Sequence, residues 1–164
     1  MKLKIAIDKP ICFFDVESTG LNIMKDRIIQ IAIIKFIPGS ADSEELEMLI
    51  NPGIPVSREA AEVHGISNED VRNKPTFTQV SKQLFEFFED ADIGGYNSNR
   101  FDVPMLMEEF ARAGLNFTLD NRRLVDAQKI FYKMEPRTLR AALRFYCGEN
   151  LENAHNALAD VKAP

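Results

Sequence analysis

Apolar positions in this chain fall first into long unbroken runs and later into helical spacing. Ile11 to Val16 reads ICFFDV and Arg27 to Phe36 reads RIIQIAIIKF, two runs dense enough in Ile and Phe to predict buried strands. Glu45 to Ile50 (ELEMLI) follows a Pro38-Gly39-Ser40 turn signal and predicts a third strand, antiparallel to the second. From Asn51 to Pro75 the chain is polar and punctuated by proline, which predicts loops and short helical turns.

The period then changes. Thr76 and Gln79 have capping-box spacing, and Phe77, Val80, Leu84, Phe85 and Phe88 recur at helical intervals, so an amphipathic helix is expected with its apolar face in the core. Ala91 to Tyr96 predicts a short strand, Asp102 to the Gly114 stop a helix, and Arg122 to Val125 a fifth strand. Helices are expected over 126–131 and 137–146, and a last one from Ala154. This order of elements predicts an α/β fold, a mixed sheet with helices on its faces.

A length of 164 residues fits one domain, 1–164, with a single core. No apolar run is long enough to cross a bilayer, and the N-terminal MKLKIAIDKPI is broken by Asp8, Lys9 and Pro10, so no secretion signal is read and a cytoplasmic location is expected. Cys12 and Cys147 stand alone in apolar settings and read as core residues rather than a disulfide or zinc framework. The net charge of −5 has the wrong sign for nucleic-acid binding through the overall field, yet a site confined to a chain end needs only local cations.

The candidate chemistry begins at Asp15 and Glu17. Alternate residues of a strand share a face, so their Cα atoms lie roughly 6.5 Å apart and the pair can grip one ion. Alone, a D-x-E pair is better explained as a solvated strand end. Its setting, F-F-D-V-E-S-T-G-L, resembles the first motif of the DEDD exonucleases, with Ser18 where threonine is usual. Asn97 followed by Phe101-Asp102 in Y-N-S-N-R-F-D-V-P-M-L resembles the second motif. His155-Asn156-Ala157-Leu158-Ala159-Asp160 resembles the third, in its histidine-bearing DEDDh (DnaQ-like) form, and Val63-His64-Gly65-Ile66 is a linker phrase of proofreading-type members.

This resemblance runs from about Ile11 to Asp160. It implies a ribonuclease H-like, five-stranded mixed sheet and two divalent ions, Mg²⁺ or Mn²⁺, held by Asp15, Glu17, Asp102 and Asp160. Hard carboxylate ligands suit those ions, and two of them can stabilise the attacking and leaving oxygens of an in-line displacement at phosphorus. The resemblance makes His155 the general base, a task an imidazole with pKa near 6.5 can perform at neutral pH. It makes Thr19, Gly20, His64, Asn97 and Phe101 candidates for contact with the terminal nucleotide. His155 and Asp160 are about 140° apart on an ideal helix, so His155 is expected at or before the helix start.

The implied activity is hydrolysis at 3′ ends, of single-stranded DNA in the first instance, releasing 5′-mononucleotides. The nucleic-acid end is the partner, with a DNA polymerase as a further one. The alternatives are an RNA-trimming exoribonuclease, since nothing here reads the 2′-hydroxyl, and a non-catalytic binding module on the same fold, against which all five catalytic positions being filled counts. Taken singly, Asp102 is an N-cap, His155 a helix-start residue and His64 a turn residue. Lys129, Lys133, Arg137, Arg140 and Arg144 form a basic stretch that serves phosphates or solvent equally well. Four residues follow Asp160 where relatives continue for several turns, which implies a truncated last helix or a longer chain.

Overall fold

The computed structural model describes residues 7–95 and 101–126. Five strands form one sheet in the order β3-β2-β1-β4-β5: β1 (Ile11–Ser18), β2 (Ile28–Phe36), β3 (Glu44–Leu49), β4 (Asp92–Gly95) and β5 (Leu124–Asp126). β1, β2 and β3 are an antiparallel meander, while β4 and β5 run parallel to β1, the mixed ribonuclease H-like arrangement expected. Four helices are described, α1 (Arg58–His64), α2 (Asn68–Val71), α3 (Phe77–Phe87) and α4 (Asp102–Arg112). None is long and apolar enough to cross a membrane.

Central β1 divides the core by its alternation. Cys12, Phe14 and Val16 pack with Leu84 and Phe88 of the α3 region and with Val103, Leu106 and Phe110 of α4. Phe13, Asp15 and Glu17 therefore belong to the other face. α3 starts at the expected capping box, Thr76 and Gln79 each bonding the other's backbone N–H, and its phenylalanines go to the core as their spacing predicted. Phe110 anchors that layer: fully buried, it stacks on Phe117 at 4.9 Å and meets Phe77, Phe85 and Phe88 edge-on. Cys12 is buried here too, its thiol pushed up to about 12 by desolvation, as suits an unreactive core cysteine.

Polar clamps close the parallel side. Arg122 lies over the Phe117 ring and donates to the carbonyls of Phe88 (2.6 Å), Ala91 (2.7 Å) and Thr118 (2.9 Å). Buried Asp92 accepts from the backbone N–H and Nε of Arg123, each at 2.7 Å, and pairs with Lys9 at 3.5 Å. Gly94 is required where β4 meets β1, because a Cβ there would lie 2.7 Å from the Phe13 ring.

Three expectations shift. β1 runs two residues further than its apolar signal, through Glu17 and Ser18, which pair with Gln30 and Ile28 across a bulge. Asp126 closes β5 opposite Gly95 rather than opening a helix, because ladder pairing with β4 claims it. Asp102 is the first residue of α4, not its N-cap; Phe101 holds the cap position and supplies no side-chain hydrogen bond. Asn97, Cys147, His155, Asp160, the basic stretch from Lys129 and the helices expected after 126 lie outside the described residues. Phe110→Ala is expected to cost about 3–5 kcal/mol, since it empties a fully enclosed ring site; urea unfolding followed by circular dichroism measures it.

Candidate active site at the end of strand β1

The C-terminal end of β1 opens into a cavity of about 500 Å³ whose lining includes Glu17, Gly20, Leu21, Asp26, Glu59, Val63, His64 and Phe101. Four of the expected site residues, Glu17, Gly20, His64 and Phe101, thus meet in one space. Asp15 lies half-buried two residues before Glu17 on the same strand face, and Asp102 is buried directly after Phe101. Among the described residues, no group of three or more His, Cys, Asp or Glu is placed to hold a metal ion. The expected quartet includes Asp160, which lies outside them.

The wall from residue 20 to 26 is a tightly closed loop. Thr19 joins its two ends: the Thr19 N–H donates to the Arg27 carbonyl (2.9 Å), and the Thr19 hydroxyl accepts from the Arg27 N–H (3.0 Å). That hydroxyl also donates to Asp26 Oδ1 (2.8 Å), while Asp26 Oδ2 accepts from the Asn22 N–H (2.8 Å). Thr19 is 1% exposed and does not line the cavity, so its side chain shapes the loop from beneath. Gly20 is dictated by the same carboxylate: a Cβ would sit 2.5 Å from Asp26 Oδ2. The loop lifts Leu21 into solvent, 87% exposed, at the cavity rim.

The opposite wall is α1, a seven-residue helix with no buried residue. Its sequence allows it because Ser57 caps the start, accepting from the Ala60 N–H, and Gly65 ends it at φ 72, where other residues are strained. Hydrogen bonds at both ends tie it to consecutive residues of the first motif. The Ser57 N–H donates to the Thr19 carbonyl (3.0 Å), and His64 Nε2 lies 3.0 Å from the Ser18 carbonyl. His64 Nδ1 accepts from the Ile66 N–H (3.0 Å), so the proton belongs on Nε2 and the ring donates to Ser18. Burial holds the imidazole below its usual pKa, with the Ser18 bond opposing that shift. His64 therefore does shape a turn, while its ring still faces the cavity lining.

Sequence reasoning missed Asp26, Glu59 and Leu21 on the lining, and Glu109 behind it. Leu21 closes the first motif itself and Asp26 follows it five residues later, so both carried a signal by position; Glu59 had none. Glu109 did carry one: it lies seven residues after Asp102, hence two helical turns along the same stripe, which Leu106 shares.

Because the folded state disfavours a protonated His64, the stability contributed by its buried neutral ring, with Nδ1 free to accept from Ile66, is fully present above pH 6.5 and is lost as pH falls through the lowered folded value. Thermal unfolding of the unchanged protein and His64→Gln between pH 7.5 and 5.5 tests this: the unchanged protein's advantage is expected to shrink on acidification, and a constant gap would refute it.

Comparison with known proteins gives this geometry a family. The RNase T model, described as exonuclease, matches residues 12–163. The PolC-type DNA polymerase III of Streptococcus sanguinis (strain SK36) is 32% identical over 155 residues, 92% of this chain, and that of Pediococcus pentosaceus is 30% identical over 151 residues, 90% of it. The chain spans 10% of the length of each. Among solved structures, an E. coli exonuclease I complex with a dA16 oligonucleotide superimposes with a TM-score of 0.77 at 21% identity, covering 95% of this chain and 39% of that one. A zinc-bound E. coli exonuclease I complex with single-stranded DNA gives 0.76 at 22% identity, covering 94% and 38%. With its sheet order, its first motif at the mouth of the cavity and a family match over nearly its whole length, the chain belongs to the DnaQ-like 3′-to-5′ exonucleases of the RNase T family.

Proposed function

We propose that this chain is a metal-dependent exonuclease that removes nucleotides one at a time from a free 3′-hydroxyl end, single-stranded DNA being the preferred substrate. The observation that carries the reading is the cavity joining Glu17, Gly20, His64 and Phe101, about 500 Å³ and within the range of small-ligand sites. Its mixture of aromatic rings, aliphatic rim and carboxylates suits a base and ribose at the end of a strand better than a continuous duplex. A paired end must first fray, at roughly 1.4 kcal/mol per base-pair step, which favours single strands.

Asp15, Glu17, Asp102 and Asp160 are the residues we assign to the ions. The donor chemistry suits them: all four are hard carboxylates, and the three described, Asp15 and Glu17 on β1 and Asp102 at the start of α4, do not by themselves make up an ion-holding group among the described residues. Mg²⁺ or Mn²⁺ bound there would supply stabilisation of the charge that develops on the oxygens at phosphorus. His155 takes the proton of the attacking water. The new bond forms at the terminal phosphorus as the bond to the 3′-oxygen of the preceding nucleotide breaks, which releases a 5′-mononucleotide and leaves a fresh 3′-hydroxyl. Phe101 and His64 offer ring faces to the departing nucleotide, and Gly20 offers it backbone from the loop that Asp26 closes. Asn97 is a further contact, and Thr19 acts through the loop it closes. The similarity to PolC-type polymerases supports a DNA polymerase as partner.

Linear single-stranded DNA with Mn²⁺ is expected to shorten from its 3′ end, while circular single-stranded DNA of equal length survives and a 3′-phosphate slows the reaction strongly. Equal cutting of the circle would make the protein an endonuclease. EDTA and Asp15→Asn are each expected to abolish release, with the mutant still folded by circular dichroism; full activity in EDTA would sink the ion assignment. His155→Ala is expected to lower kcat by about 10²–10⁴ with Mn²⁺ affinity retained, a split that single-turnover rates and calorimetry resolve. Duplex DNA and RNA of the same sequence complete the substrate series.

A further inference from the structure

Helix α4 carries a second buried acid that the reaction as assigned does not use. Glu109 is 3% exposed and lies two turns from Asp102, about 10 Å along the axis, on the stripe that faces the core. Its two oxygens serve different masters. Oε2 accepts from the backbone N–H of Ile28 (3.1 Å), the residue opposite Ser18 at the β1–β2 bulge. Oε1 accepts from Arg112 Nη1 (2.8 Å), and Arg112 Nη2 in turn donates to the carbonyls of Ile23 (3.3 Å) and Met24 (3.0 Å). Those two carbonyls belong to the 20–26 loop that walls the cavity.

The loop's own bonds close it upon itself but do not orient it. Thr19, Asp26 and Asn22 bond within residues 19–27, and the loop presents Leu21 and Met24 to solvent, 87% and 69% exposed, so apolar burial at those positions does not hold it. Arg112 reaches it from another element. A guanidinium fork can grip two carbonyls while paired with a carboxylate, and Glu109 keeps that fork aimed by holding its other nitrogen. One end of α4 starts at Asp102 beside Phe101, and the other holds the opposite wall of the same cavity.

We propose that Glu109 and Arg112 are positioning residues for the nuclease reaction, a bracket, buried at Glu109 and half-buried at Arg112, that fixes the 20–26 loop to α4 and so sets the width of the space that receives the terminal nucleotide. The inference rests on the exonuclease reading above. A bracket of this kind acts on binding of the nucleotide rather than on the chemical step, which distinguishes it from a purely structural ion pair. Loss of a structural pair lowers the fraction of folded protein; it leaves KM of the folded fraction alone.

The test measures KM and kcat on 3′-labelled single-stranded DNA, and dTMP affinity by calorimetry with Mn²⁺, for Arg112→Met, Arg112→Lys, Glu109→Ala and Glu109→Gln. Arg112→Met and Glu109→Ala are expected to raise KM and the dTMP dissociation constant about 5–20-fold with kcat changed less than about 2-fold. Glu109→Gln keeps one acceptor oxygen, enough for Ile28 or for Arg112 but not for both, and Arg112→Lys keeps the ion pair without the fork, so each should restore only part of that affinity. Should R112M or E109A fail to fold, the Arg112→Lys value carries the test. Unchanged KM and dTMP affinity in folded variants of an active enzyme overturn the bracket. An unvaried protein that neither releases nucleotides nor binds dTMP overturns the exonuclease reading and the bracket with it.

Discussion

Strand β1 has to satisfy two neighbours and two chemically opposed faces with eight side chains, and the rest of the molecule follows from how it does so. Cys12, Phe14 and Val16 complete a core shared with α3 and α4, so the residues between them are committed to the other face. Because the period of a strand is two, a register slip of one residue would drive Asp15 and Glu17 among Phe88 and Leu106 and turn Phe14 out. The antiparallel pairing with β2 on one side and the parallel pairing with β4 on the other fix that register twice. The acidic pair is thus placed by hydrophobic burial of its neighbours rather than by any attraction of its own.

Beyond Glu17 the ladder is disturbed by a bulge, and hydrogen bonds take over from apolar packing as the organising force. The backbone groups released at Ser18, Thr19 and Ile28 are met by His64, Ser57 and Glu109, from α1, its cap and α4. A buried backbone group left unmet would cost about 1–3 kcal/mol, so each of these partners is bound to the strand end by the need to satisfy it. The cavity lies where α1, with its cap, and α4 converge on that one irregular stretch.

This division explains what the sequence made legible. Strands β1 and β2 and helix α3 were readable because continuous or periodic apolar runs bury themselves wherever the chain takes them. The first-motif residues were readable because the family pattern is contiguous. α1 was legible only as a short helical turn, since none of its residues is buried and its ends are defined by Ser57, Gly65 and bonds to residues some forty positions earlier. The polar tail of β1 depends likewise on partners distant in sequence. Glu108 and Glu109 look alike in the chain; helical phase alone separates the buried one from its neighbour.

Among the described residues, the cavity lining holds three carboxylates, Glu17, Asp26 and Glu59, and the His64 ring, but neither lysine nor arginine. Nucleic-acid affinity ordinarily falls steeply with ionic strength because basic side chains displace counterions from the phosphates they neutralise. Under the proposed reading, a terminal nucleotide seated among these residues would displace none through them. Sensitivity of strand binding to ionic strength would then count the phosphates gripped by other residues, and the difference between a mononucleotide and a long strand in this respect would separate the terminal unit's share of that grip from the rest.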